Sequence, residues 1–387
     1  MLGARYGLAV LALSCASYSG LCATNYVEWR LESPVLSNGV VNLTLHAEAG
    51  VSYVIESSSN LQTWTPIATN GDAQITRTIG LDSAADAGFF RVGRQPLPVF
   101  GAALATVDGI DFNGKNVETD SFDSADPLFS DNGFYPADQP ERQKDNGHVI
   151  TDFYPINSLA VGGQRIKGMV RTGLGFSFSI GTNTSVGDKD WVEAGTLGIQ
   201  PGHFEDNMNV VFNPVKLPFT SWYAVAYYSA GFTNDGAVYN WVINGNGDYY
   251  VSDLSKSLLV TGNVRLLVTT RVSLIGANDH ICISPGSSLE IYAYCATASI
   301  GGLGIVNRAG NATNFSYFGL ATNTKISLAG NVDFTGVVYA PQAAFTIGGG
   351  GSDTYDFVGA SVTKSVKLNG HYRFHFDENL LRAGPVR

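Results

Sequence analysis

Apolar and polar residues alternate in short runs along most of the chain, and Gly, Asn, Ser and Asp punctuate them. Period-two alternation over so few residues is the mark of half-buried strands, because successive side chains on a strand point to opposite faces. Between residues 25 and 94 the runs are VVNLTLHA, SYVIESSSN, LQTWTPIA, AQITRTIGL and GFFRVGR. They predict a small β-sandwich of immunoglobulin or fibronectin-like kind over residues 24–95, with Trp64 and Phe89 or Phe90 as anchors between its sheets. Pro96 and Pro98 in GRQPLPVFGAAL then impose an extended connection.

From 96 to 387 the pattern changes to internal repetition. NSLAVGGQRIKGMVRTG near 157, KSLLVTGNVRLLVTT near 256, KISLAGNVDFTGVVYA near 325 and KSVKLNGHYRFHFD near 364 each join short apolar alternations through a Gly-Asn or Asn-Gly style turn. The recurrences lie near twenty residues apart, which predicts one rung of structure per repeat. A rung this short cannot bury its own inward side chains. Stacking rungs about 4.8 Å apart completes both the hydrogen-bond ladder and a continuous apolar interior. The expected fold is therefore all-β: an irregular right-handed parallel β-helix preceded by the sandwich, with a single large sandwich as the alternative. Residues 119–150 carry almost no periodic apolar signal and read as a long loop excursion. The aromatic stretch 218–241 is expected to cover one face or one end of the stack, and YRFHFDENL to be its last rung.

At the N-terminus, Arg5 precedes an apolar stretch from Gly7 to Leu13, followed by small residues up to Leu21-Cys22-Ala23. This predicts a secretory signal peptide over residues 1–23, since the stretch is shorter than the roughly 20 residues a spanning helix needs. A retained anchor and a lipid-modified Cys15 are the alternatives. Secretion or display at the cell surface or in the periplasm follows, with no membrane span in the mature chain. The net charge of −10 supplies no basic stripe, which argues against a nucleic-acid partner. Surface polysaccharide or another cell-envelope protein is the expected kind of partner. In an oxidising compartment Cys282 and Cys295 either bridge or pack as two buried thiols.

No catalytic constellation assembles from the residues. Asp120, Asp123 and Asp126 offer hard oxygen ligands for calcium but lack the spacing of a calcium loop, and turn formation explains them equally. Asp188, Asp190 and Glu193 flank Trp191 and form the best local cluster for a hydrolase, which needs two convergent carboxylates. His371, His375 and Asp377 share one face of a strand, yet alternate strand residues are about 7 Å apart, and a structural zinc gathers ligands from separate segments. The glycines of IGGGGSD lack the strand, helix and Lys-Ser/Thr of a phosphate loop. No cofactor is expected. Trp191, Trp222 and Tyr223 are the candidates for stacking on sugar rings.

Two stretches resemble known families. YVIESSSNLQTWTPIATNG followed by GFFRV resembles a short β-sandwich module that recurs in large secreted bacterial proteins. GIVNRAGNATNFSYFGLATNTKISLAGNVDFTGVVYAPQAAFTIGGGG leading into DFVGASVTKSVKLNGHYRFHFDENL resembles a C-terminal β-helical domain of unknown function found in bacterial exported proteins, some of them associated with type IV pilus components. The resemblance implies a fold and an extracytoplasmic setting, and brings no catalytic residue with it. The expected function is a non-enzymatic structural or adhesive protein. A polysaccharide lyase or glycoside hydrolase on a β-helix, or a carbohydrate-binding protein, is the alternative.

Overall fold

The computed structural model describes residues 30–384 except 33–34, 38–39, 47–52, 60, 71–75, 83–88, 95–98, 113–116, 153–162, 174–179, 209–211, 330–332, 349–352 and 370. The expected signal peptide, the proline connection and most of the glycine run lie outside the described residues. The chain divides into two compact units, Met1–Leu97 with Val386–Arg387, and Pro98–Pro385.

In the first unit, Val40–His46 pairs antiparallel with Arg30–Leu31, Val35–Ser37 and Thr76–Asp82. A second antiparallel sheet sets Tyr53–Ser58 between Thr65–Asn70 and Phe89–Arg94. Alternation buries Leu43, Leu45, Ile55 and Phe90. Trp64 departs from its expected role as a core anchor. It is half-buried beneath the Arg91 guanidinium, 4.2 Å from the ring centroid, and Arg91 is itself held by Glu56 at 2.6 Å. A cation over the ring face covers the indole as an opposing sheet would.

The second unit is nearly all β, with two short α-helices, Lys189–Glu193 and Leu380–Ala383, among the described residues. Its strands pair in parallel, apart from the hairpin of Ala226–Asn234 and Ala237–Asn244. One ladder climbs through Tyr249, Leu266, Ile291, Tyr317, Val338 and Ser361. It then continues onto residues far earlier in the sequence: Leu104, Val149, Val170 and Phe204. A second ladder runs Leu254, Val272, Ala298, Ile326, Phe345, Val366 and then Ile110. A third runs Phe334, Phe357, Phe374 and then Thr119, Ile166, Val186 and Ile199. A separate sheet stacks Trp241, Leu258, Ile281 and Ile305.

The chain thus enters its own stack in the middle. Residues 104–208 form one tier, and residues 223–377 form another that climbs to meet the first from the other side. The return between them is a strap over 212–222 lying on the outside of the C-terminal tier. Asn213 accepts from the Tyr339 hydroxyl at 2.8 Å, Val215 bridges Leu320, and Phe219 packs on Leu267, Tyr292 and Leu320. YRFHFDENL is therefore not the last rung. The strand His371–Asp377 lies at the junction, with Thr354–Leu368 on one side and Glu118–Phe122 on the other.

Inward columns of like residues hold the stack. The rings of Phe334 and Phe357 stack with centroids 4.5 Å apart, and Phe374 follows at 5.3 Å. Burying each such ring contributes about 1.5–3 kcal/mol. Within the stack neighbouring backbones also close up: at Gly359, with φ +132°, a Cβ would meet the carbonyl oxygen of its register partner Gly336. Outward positions carry opposite charges on neighbouring rungs. Arg265 grips Asp248 at 2.6 and 2.8 Å, Arg271 grips Asp253, and Asp356, Arg373, Glu118 and Arg165 follow one another in register. Cys282 and Cys295 are free thiols. The bridge considered from the sequence is not formed, because Cys282 packs with Tyr239 and Leu259 in a small satellite cluster while Cys295 lies in the main core.

Candidate functional site

Two features of the second unit stand out chemically: a buried polar seam at the junction of the tiers, and an exposed aromatic face at the start of the C-terminal tier. The seam begins with Glu118–Phe122, which sequence reasoning assigned largely to a loop. Its inward side chains are Thr and Ser, so no apolar alternation marks it as a strand, but it pairs in register with the strand of His375 over its full length. The chain then folds over this strand pair and returns at Gly147, where a Cβ would lie 2.5 Å from the Asp120 nitrogen. Only glycine permits that approach.

The excursion buries the face of His371–Asp377 that alternation assigns to solvent. His375 is 2% exposed. Its Nδ1 donates to Asp120 Oδ1 at 2.6 Å, its Nε2 lies 3.2 Å from Asp356 Oδ1, and the ring stacks on Tyr135 with centroids 3.5 Å apart. The Tyr135 hydroxyl donates to Asp120 Oδ2 at 2.8 Å, and Arg373 Nε to Asp356 at 2.7 Å. Burial opposes charge on the imidazole, but Asp120 and Asp356 outweigh it and hold the His375 pKa up to about 9. The same burial, with Asp120 beside it, pushes the Tyr135 phenol far above its ordinary value, so it stays a donor.

Next to this group, Glu378 accepts from Lys144, from Ser121 Oγ at 2.9 Å and from Asn146 at 2.7 Å. Arg382 reaches Asp123 at 2.5 Å. Asp377 is fully buried; its Oδ1 accepts from the backbone of Ser124 and Asn379, while Oδ2 has no partner, and burial pushes its carboxyl up. These groups hold the excursion to the C-terminal strand, and the carboxylates among them are taken up by partners within the chain.

The weak candidates for calcium, Asp120, Asp123 and Asp126, are dispersed among other partners. Asp120 serves His375 and Tyr135, Asp123 serves Arg382 and the Ala125 amide, and Asp126 caps its own turn through the Leu128 amide at 2.9 Å. Among the described residues no three His, Cys, Asp or Glu side chains are placed to hold a metal. The cluster at Trp191 is also structural. Asp188 caps the helix Lys189–Glu193 by accepting from the Trp191 amide at 2.8 Å and from Gln200 at 2.6 Å, and these bonds hold its carboxyl below its ordinary value. Glu193 pairs with Lys167, and the indole of Trp191 packs over Gly187 rather than standing free.

Trp222 and Tyr223 are placed differently. Both are exposed, Tyr223 at 71%, beside the hairpin whose first strand, Ala226–Asn234, is almost wholly open to solvent. Tyr223 neighbours Tyr249 at 6.0 Å, Trp222 neighbours Tyr250 at 5.9 Å, and Tyr227 leans on Trp241 at 4.5 Å. The structure does not unite Trp191 with this face, since the two lie in different tiers. Sequence reasoning missed His375 with Asp120, whose positions are 255 apart. The one available signal was that DSFDSAD and HFDEN are both dense in polar groups.

Comparison with protein families finds that residues 225–383 match a domain of unknown function, DUF7305. Comparison with curated proteins and with solved structures finds no match. The matched stretch spans the C-terminal tier and the strand of the seam, and the tier at 104–208 lies outside it. Among the described residues no helix is long and apolar enough to cross a membrane.

Proposed function

We propose that this is a secreted or cell-surface protein of bacterial type that serves a structural and adhesive role without catalysis, its second unit being an irregular right-handed parallel β-helix and its first unit a sandwich spacer. The observation that carries the reading is the use made of the carboxylates at both polar clusters: helix cap and ion pair at Trp191, imidazolium and backbone partners at the seam. A hydrolase needs two carboxylates facing a shared groove. Association with the cell envelope, including pilus-type assemblies, follows from the family resemblance. Incubating the purified chain with acidic and neutral polysaccharides tests the reading. No product release is expected, and release that disappears in Asp188→Ala or Asp190→Ala overturns it.

A second reading, carbohydrate binding without turnover, is supported by the exposed rings of Trp222 and Tyr223, whose flat apolar faces suit the C–H faces of sugars. Glycan-array binding reduced at least tenfold by Trp222→Ala and Tyr223→Ala together is the expected result.

A further inference from the structure

The second unit is held as one stack by two links. One is covalent: the connection from Met208 through the strap at 212–222. The other is the seam, where Ser361–Thr363 lies on Leu104–Thr106, Val366–Leu368 on Ile110–Phe112, and Arg373–Asp377 on Glu118–Phe122, all in parallel register. Side chains specify this junction closely. His375 meets Asp120, Glu378 meets Lys144, Arg382 meets Asp123, and Asn311 donates to Ser124 at 3.0 Å. Phe219 of the strap is buried on the C-terminal tier, so this end of the strap stays with that tier when the two part.

Every copy of the chain carries both faces of this junction. We propose that the N-terminal tier of one molecule docks on the C-terminal tier of a second copy, making the seam the exchange interface of domain-swapped dimers and longer assemblies. Such a swap recreates each backbone ladder and ion pair of the monomer, so its cost is the entropy of association, which concentration offsets. In a closed dimer both seams are filled. In an open assembly one end presents the unpaired edges of Ser361–Thr363, Val366–Leu368 and Arg373–Asp377 and the other those of Leu104–Thr106, Ile110–Phe112 and Glu118–Phe122, and each templates a further copy. This inference is independent of what the aromatic face binds.

Asp111 and Lys367 are register partners at the seam with exposed side chains 4.0 Å apart. Adjacent strands lie about 4.8 Å apart, within disulfide reach. The experiment mixes full-length Asp111→Cys and Lys367→Cys chains carrying tags of different size. The mixture is unfolded and refolded under reductant, then oxidised once native, when Cys282 and Cys295 are buried. A disulfide-linked heterodimer is expected, its yield rising roughly in proportion to the protein concentration at refolding. The double variant Asp111→Cys/Lys367→Cys, refolded dilute, is expected to close the bridge within one chain. Closure in the double variant with no heterodimer at any concentration overturns the proposal. Failure of the double variant to close also overturns it, by removing the seam on which it rests.

Discussion

The two tiers reach the same parallel architecture by different means. In the C-terminal tier single strands run through two faces, as Phe334–Ile347 and Thr354–Leu368 do over 14 and 15 residues, and the inward columns are Phe, Ile, Leu and Val. In the N-terminal tier the strands are short, between the 2 residues of Gly198–Ile199 and the 5 of Phe204–Met208. There Thr106, Thr151, Gln164, Thr172 and Thr184 are fully buried beside Val and Ile. Apolar columns dominate the C-terminal tier, although it also buries Asn323, which donates to the Cys295 carbonyl at 2.8 Å, whereas polar side chains line far more of the N-terminal tier, such as the Thr184 hydroxyl, which donates to Gln164 at 2.8 Å. The seam between them is the extreme of the second kind, with an imidazolium held between two carboxylates.

Breaking the apolar tier should have the largest effect. Gly359→Val forces a side chain into the Gly336 backbone at a φ that valine resists, and loss of the cooperative transition for the second unit by calorimetry is expected. Phe357→Ala removes the middle ring of a stacked column, and chemical denaturation should show a loss of about 3–5 kcal/mol. At the seam, His375→Leu leaves the buried Asp120 without its cation and Asp356 with Arg373 alone, for an expected loss of about 3 kcal/mol.

The seam is also distinguished by pH. His375 holds its proton from the ordinary 6.5 up to about 9 in the folded chain, so its contribution is complete below 6.5 and disappears as pH rises through 9. Stability should fall by a few kcal/mol, on the order of one per pH unit, across that window in the native chain. In His375→Gln the same decline should be absent. The smallest effect belongs to the outer wall: Arg265→Ala breaks a half-exposed pair with Asp248 and should cost under about 1 kcal/mol.

The contrast explains what the sequence disclosed. FTI and KISL alternate cleanly because their inward residues are apolar, so the rungs of the C-terminal tier are legible as strands. TDSF faces inward with Thr and Ser, whose partners are the distant Gly147 carbonyl for Thr119 and Glu378 and the Asn146 amide for Ser121, and it reads as loop. Tyr372, Phe374 and Phe376 alternate with the polar residues of their strand and lie inward, yet that alternation does not show that the excursion buries His375 on the opposite face. Nor does any local pattern say that Ser361 pairs with Leu104, because a ladder between distant rungs is set by closure of the whole stack. At the aromatic face, the exposure of Trp222 and Tyr223 follows from their place beside the first hairpin. Trp191 looked equivalent in the sequence but is fixed by the cap at Asp188.

Native-state hydrogen exchange tests most directly the claim that the last strands lie inside the stack. The account predicts that the amides of Ser361–Thr363 and Phe374–Phe376 exchange as slowly as those of Leu289–Ile291 in mid-tier, and that Ala105 and Thr106 share that protection. Fast, edge-like exchange at Phe374–Phe376 with slow exchange at Leu289–Ile291 would place the C-terminal strand at a free end and contradict it.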